Sequence, residues 1–201
     1  GSYENSFIED VFSDALAYTQ RGYLKLFFST SHPKWLDEAL EIQTELDRHY
    51  LSPHSKFYQL SKHDTLFIST KDMDDHVVPS ANAVIAESLY WMGILTGNPH
   101  WIAQSKEMIL HRCEGIVSPA STGYWLQVSL LHEYKACIIA GEKKLLETLP
   151  YHPLHLPLEI NQKNKDLPFL KNKKWEENLY YVCNAEQCYT PTTDIDFLYP
   201  S

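Results

Sequence analysis

A short segment of this sequence occurs twice, and this repeat constrains the fold more than any other feature. Residues 30–36 read Thr-Ser-His-Pro-Lys-Trp-Leu, and residues 96–102 read Thr-Gly-Asn-Pro-His-Trp-Ile. In both copies a broadly apolar helical pattern precedes the turn, and an amphipathic helical pattern follows it. The repeating unit is therefore predicted to be a helical hairpin that pairs an inner helix with an outer one. Inner helices of this kind are buried only by neighbouring hairpins, as in repeat proteins and closed helical toroids.

Apolar periodicity and turn residues together predict five helices in the first two thirds of the chain. A pair of β-branched and aromatic runs, residues 56–60 and 65–69, predicts a small β-hairpin between the second and third helices. The five helices are expected at residues 6–28, 33–50, 79–97, 98–113 and 118–131.

The pattern changes after Tyr134, where continuous apolar runs and prolines replace the helical period. Residues 136–141 and 179–183 are predicted as buried strands, and residues 154–160 as an edge strand. The fold class predicted is mainly α. Helical hairpins of a partial α/α toroid are expected over residues 3–134, and a small α/β appendage over residues 135–201.

The charge of the chain excludes several classes of partner. It carries 17 Lys and Arg against 26 Asp and Glu, a formal net charge of −9. Because nucleic acids and anionic membranes bind basic surfaces, neither is expected as a partner. No apolar run approaches the roughly 18 residues of a membrane span. The four cysteines are few and scattered, which favours reduced thiols and a cytoplasmic location.

Two stretches carry a recognisable family pattern. The first is Lys-Asp-Met-Asp-Asp-His-Val-Val-Pro-Ser-Ala-Asn-Ala at residues 71–83, and the second is Val182-Cys183 followed by Cys188. Together they resemble the C-terminal part of the spermatogenesis-associated thioredoxin-like family, which includes the YyaL proteins. The resemblance implies the second half of a six-hairpin, glycosidase-like helical toroid. His76 and Ala81 stand where that family usually has glycine.

The aspartate-rich segment points to carboxylate chemistry at the mouth of such a toroid. Glycoside cleavage needs two carboxyl groups, one as the acid and one as the base or nucleophile. Asp75 is the first candidate, and Glu9 or Asp10 is the second if the first and third helices are neighbours. In the alternative interpretation, Asp75 caps the start of a helix.

The remaining candidate ligand-binding residues lie in or just after the same segment. Ser80 and Asn82 are expected to cap the third helix or to bind a ligand, whereas a buried Glu87 would be either paired or functional. His76 is retained because sugar isomerases of the toroid class use histidines as acid and base. The full set of predicted ligand-binding residues is Lys71, Asp72, His76, Ser80, Asn82 and Glu87.

No cofactor and no metal site are predicted. The chain has ten histidines, but their spacing matches no zinc motif, and His152 and His155 lie in a proline-broken segment. They are interpreted as solvated loop residues.

Two functions follow from these features. The first is a carbohydrate-related toroid module with hydrolase or isomerase chemistry, whether or not this chain is an active enzyme. The alternative is a non-catalytic module that docks a thioredoxin-like domain or forms a homodimer, because uncovered inner helices favour self-association.

Overall fold

Two helical hairpins stack beside each other in the structure, as the sequence repeat predicts. The first consists of α1 (Ser13–Thr30) and α2 (Lys34–His49), and the second of α3 (Ala81–Thr96) and α4 (Pro99–Cys113). The inner helices α1 and α3 pack against each other, and each also packs against its own outer helix. The structure is a computed structural model, and it describes residues 11–62, 70–114, 118–170 and 176–198.

The repeated turn has the same backbone conformation in both hairpins. Ser31 ends α1 with φ 54°, and Gly97 ends α3 with φ 67°. Both residues are left-handed, a conformation that glycine adopts without strain and serine does not. The amide side chain of Asn164 donates to the Ser31 carbonyl at 3.0 Å, so the C-terminal part of the chain contacts the first turn.

Helix α3 is the centre of the fold because it is apolar on all sides. It is buried from Ala81 to Leu95 with the exception of Glu87. A helix without a polar face must be covered all round, and α1, α4 and the fifth helix, α5 (Gly123–Glu133), all pack on it.

A three-stranded sheet follows the helices, in the order β2-β1-β3. Central strand β1 (Cys137–Gly141) runs parallel to β2 (His155–Glu159) and antiparallel to β3 (Tyr181–Asn184), with the short helix α6 (Lys143–Leu146) between β1 and β2. Strand β2 is an edge strand and contains Pro157, a position where a missing N–H is tolerated.

The sheet buries both of its faces. Ile138 and Ala140 belong to the main core that the helices also form, whereas Cys137 and Ile139 join Val182 in a smaller core on the other face. This alternation explains why β1 reads as a continuous apolar run. The prediction of a mainly α fold with a small α/β appendage is confirmed, and the exact domain boundary at residue 135 stays a prediction.

The predicted β-hairpin is not observed where it can be checked. Residues 56–60 form no strand, and Tyr58 makes only an isolated bridge to Leu51. The Asn82 side chain accepts a hydrogen bond from the Tyr58 N–H at 2.7 Å and donates one to the Tyr58 carbonyl at 2.9 Å. Both backbone groups of Tyr58 are therefore satisfied by a side chain. The second run, residues 65–69, lies outside the described residues.

Two further elements differ from the sequence predictions. The fifth helix begins at Gly123 and is preceded by a short 3₁₀ turn, Pro119–Ser121, where the sequence predicts one continuous helix. Cys183 and Cys188, expected as reduced thiols, form a disulfide. Cys113 and Cys137 are free.

Candidate functional site

The aspartate connector, residues 70–80, holds the starts of two helices together. One carboxylate oxygen of Asp75 accepts the Ser80 N–H at 2.8 Å, at the start of α3. The other accepts the Tyr124 N–H at 2.7 Å, in the first turn of α5. Unpaired N–H groups and the positive end of the helix dipole make such positions favourable for a carboxylate. Both oxygens of Asp75 are thus engaged by backbone donors.

Other polar residues of the aspartate connector make similar contacts. The Asp72 carboxylate accepts the Ala81 N–H at 2.7 Å, and the Ser80 hydroxyl accepts the Ala83 N–H at 3.3 Å as the cap of α3. The Lys71 ammonium donates to the Ser55 hydroxyl at 2.9 Å.

Helices α4 and α5 fix the aspartate connector from the other side. The Met73 carbonyl accepts hydrogen bonds from the Arg112 guanidinium at 3.2 Å and from the Trp125 indole at 2.8 Å, and Asp74 forms an ion pair with Arg112. The connector is therefore a well-anchored structural element, and its polar groups are largely occupied by protein contacts.

The largest group of functional side chains lies elsewhere, in a cavity of about 560 Å³. It is lined by α1, α3, α5 and the segment from α6 into β2. Glu87 is the one predicted site residue among the described residues that line it; Asp75 and the predicted ligand-binding residues of the connector do not. The predicted catalytic partners Glu9 and Asp10 lie outside the described residues. The described residues that matter most to the chemistry of this cavity are Arg21, Lys25, Glu87, Trp91, Tyr124, Tyr151, His152 and His155.

Glu87 is the centre of a polar cluster in this cavity. Its Oε2 accepts a hydrogen bond from the Arg21 Nε at 2.9 Å and another from the Tyr124 hydroxyl at 2.5 Å. Its Oε1 lies 4.0 Å from the Lys25 ammonium. The Glu87 side chain is only 12% exposed. The Arg21 guanidinium also lies over the Tyr124 ring, 5.2 Å from its centroid, so these three side chains fix one another.

The environment of the cluster keeps Tyr124 protonated. Burial raises the pKa of the Tyr124 hydroxyl, and the adjacent Glu87 carboxylate raises it further. Tyr124 is therefore a hydrogen-bond donor to Glu87 at neutral pH. The hydrogen bonds from Arg21 and Tyr124 both end on Oε2, so Oε1 of Glu87 has no hydrogen-bond partner among the described residues.

Two histidines on the segment from α6 into β2 also line the cavity. The rings of His152 and His155 stack with their centroids 4.0 Å apart. Burial lowers the pKa of His155 to about 4, and the neighbouring His152 contributes to the same shift, so His155 is neutral at pH 7. The interpretation of these histidines as solvated loop residues is wrong: both are half-buried, and His155 begins β2.

Sequence reasoning identified Glu87 but missed its partners. Arg21 and Lys25 are spaced i and i+4 on α1, and no sequence pattern marks them as partners of Glu87. Within the described part of the chain, no three His, Cys, Asp or Glu side chains are grouped to hold a metal ion. None of the described helices is long and apolar enough to cross a membrane.

The fold and site define a protein of stacked helical hairpins with a small mixed sheet and a polar cavity between them. No family model matches the chain. It is similar to spermatogenesis-associated protein 20 of Rattus norvegicus and of Homo sapiens, each 24% identical over 204 residues and 91% of this chain. The match to the protein of that name from Mus musculus is 23% identical. These matches agree with the sequence resemblance to the C-terminal part of the spermatogenesis-associated thioredoxin-like family, and the chain spans 26% of the length of these relatives.

Proposed function

We propose that this chain is a carbohydrate-related binding module, and that the cavity around Glu87 takes a small polyhydroxylated ligand. The observation that supports this is the position of Glu87, a largely buried carboxylate fixed through one oxygen by Arg21 and Tyr124. Its second oxygen has no hydrogen-bond partner among the described residues, and carboxylate oxygens are strong acceptors for hydroxyl groups. Pockets of several hundred Å³ with a few convergent polar groups are typical ligand sites.

The number of carboxylates that line the cavity favours ligand binding over glycoside hydrolysis as the proposed function. Glu87 is the one carboxylate among the described residues that line the cavity, whereas glycoside cleavage uses two. Hydrolase or isomerase chemistry through Asp75 with Glu9 or Asp10 is the less favoured proposal, because both Asp75 oxygens already accept hydrogen bonds from helix N–H groups.

The test is ligand binding by the chain and by two matched carboxylate variants. A panel of neutral mono- and disaccharides is titrated by calorimetry and by thermal shift against the unmodified chain, Glu87→Gln and Glu133→Gln. Glu133 is exposed on α5 and does not line the cavity. At least one sugar is expected to bind, and only Glu87→Gln is expected to weaken binding.

Because Glu87→Gln leaves Arg21 without its carboxylate, the folding of each variant is checked by circular dichroism. Tyr124→Phe serves as a milder second variant that keeps the Arg21–Glu87 ion pair. No binding of any sugar, or equal binding by Glu87→Gln and the unmodified chain, would contradict the proposal.

A second candidate function, self-association, is favoured by an apolar stripe on α5. Leu126, Leu130 and Tyr134 follow one another at helical spacing and are 37%, 44% and 66% exposed. A single helical stripe can pair with the same stripe of a second copy about a two-fold axis. Light scattering after size exclusion should then give a dimer that Leu130→Glu converts to a monomer, while Val77→Glu, at a fully exposed position, stays dimeric. A monomer at all concentrations would exclude this function. The family resemblance also suggests that a thioredoxin-like domain docks on this chain, and this stays a proposal.

A further inference from the structure

The charges around the cavity are unusual for this protein. The chain as a whole has a formal net charge of −9. The described residues that line the cavity include two cations, Arg21 and Lys25, and one carboxylate, Glu87. His155 is neutral at pH 7. Arg21, Lys25 and Glu87 together therefore give the cavity lining a local excess of one positive charge in an otherwise acidic molecule.

The contacts with Glu87 leave hydrogen-bond donors of both Arg21 and Lys25 available to a ligand. Arg21 reaches the carboxylate through Nε at 2.9 Å, and its two terminal nitrogens contact no acceptor among the described residues. Lys25 lies 4.0 Å from the nearer Glu87 oxygen, beyond hydrogen-bond distance, and its side chain is 54% exposed. The planar fork of Arg21 and the point charge of Lys25, one turn apart on α1, are donors suited to an oxyanion.

The rest of the cavity suits a ring rather than a bare anion. The wall formed by the segment from α6 into β2 contributes apolar side chains, Leu146, Leu149 and three prolines, beside His152 and His155. Tyr151 stands at the rim and is 92% exposed, so its ring is free to cover the apolar face of a ligand. A small inorganic anion would leave this wall uncovered.

We propose that the ligand of this cavity is an acidic sugar, a polyhydroxylated ring that carries one carboxylate or phosphate group. Lys25 and the terminal nitrogens of Arg21 bind the anionic group, Oε1 of Glu87 accepts a ring hydroxyl, and the apolar wall covers the ring. This inference rests on the proposed carbohydrate binding and narrows its ligand class.

The experiment compares three probes on the full chain: glucose, glucuronate and glucose 6-phosphate, each titrated by calorimetry at low salt. At least one acidic sugar is expected to bind about tenfold more tightly than glucose, the size of effect typical of one charge-assisted contact. The preference should shrink as salt is raised, because half-exposed charges are screened. The two acidic probes show whether a carboxylate or a phosphate is preferred.

The variant is Lys25→Met, matched by Lys163→Met in the exposed loop after β2. Lys25→Met is expected to reduce the preference for the acidic sugar to about twofold or less, and Lys163→Met to leave it unchanged. Equal affinity for acidic and neutral sugars, or a preference that survives in Lys25→Met, would overturn the acidic ligand class alone. If no sugar of any kind binds, the proposed function fails as well. Binding of inorganic phosphate or acetate as tightly as the acidic sugars would also overturn the proposal, since it needs the ring.

Discussion

Replacing Asp75 by alanine tests whether the aspartate connector is a structural element. The substitution removes both acceptors that hold the starts of α3 and α5, the oxygens bound to the N–H groups of Ser80 and Tyr124. A hydrogen bond to a charged group contributes about 1.5–3 kcal/mol, and helix caps about 0.5–2 kcal/mol. Because Asp75 is only half-buried, water partly replaces the lost contacts. We expect Asp75→Ala to lower the free energy of unfolding by about 2–4 kcal/mol.

The control for this prediction is a substitution of Asp74, the residue before Asp75 in the chain. Asp74 forms an ion pair with Arg112, but the Asp74 side chain is 54% exposed, and exposed pairs contribute at most about 1 kcal/mol. Asp74→Ala therefore removes a carboxylate from the same connector without releasing a helix start. Urea denaturation followed by circular dichroism gives both free energies, and for a chain of this size the larger effect corresponds to about 4–16 °C in melting temperature.

The two variants separate the structural and the catalytic interpretations of Asp75. If Asp75→Ala were no more destabilising than Asp74→Ala, the two Asp75 hydrogen bonds that join the starts of α3 and α5 would contribute nothing to the free energy of unfolding. The structural interpretation of Asp75 would then be refuted. The carboxylate would then be available for the acid or base role that the sequence suggested.

Two further predictions concern the repeated turn and the response to pH. Gly97→Ala should destabilise the protein by about 1 kcal/mol, since the left-handed φ of 67° is strained for alanine, whereas Ser31→Gly at the equivalent turn should stabilise it by up to about 1 kcal/mol; urea denaturation checks both. Burial lowers the pKa of His132 and of His155 from 6.5 to about 4. The unfolded chain therefore binds protons first as the pH falls from 6.5 to 4, and stability should drop over that range by up to about 3 kcal/mol for His132 and by less for the half-buried His155, where solvent screens the effect. His132→Asn should flatten this pH profile, and an unchanged profile would contradict the assignment.

Most of the fold could be predicted because its signals are local. The turn at residues 30–36 and its copy at residues 96–102 contain their own stop and start residues, and the hairpins around them are confirmed. The apolar run of β1 and the prolines around β2 likewise fix one buried strand and one edge strand. The prediction of a β-hairpin failed at residues 56–60. There the side chain of Asn82, more than twenty residues away, forms hydrogen bonds with the N–H and the carbonyl of Tyr58. No local pattern reveals such a contact.

The cavity could be predicted only in part for the same reason. Glu87 stood out as a charge on an apolar helix, but its partners come from α1 and α5, far away in the sequence. The histidines were misjudged because the prolines around them predict an exposed loop. In the structure the same segment folds back over α1 and α3, and this burial lowers the pKa of His155.

Tyr124 links the aspartate connector to the cavity, and this link determines how variants of either must be interpreted. Its N–H binds Asp75, and its hydroxyl binds Glu87. Asp75 thus helps to position the first turn of α5 from which Tyr124 reaches Glu87. Loss of ligand binding in Asp75→Ala would therefore not make Asp75 a ligand contact. A positioning role requires that Tyr124→Phe, which keeps the N–H contact to Asp75 and removes the hydroxyl, weakens binding while leaving most of the stability in place.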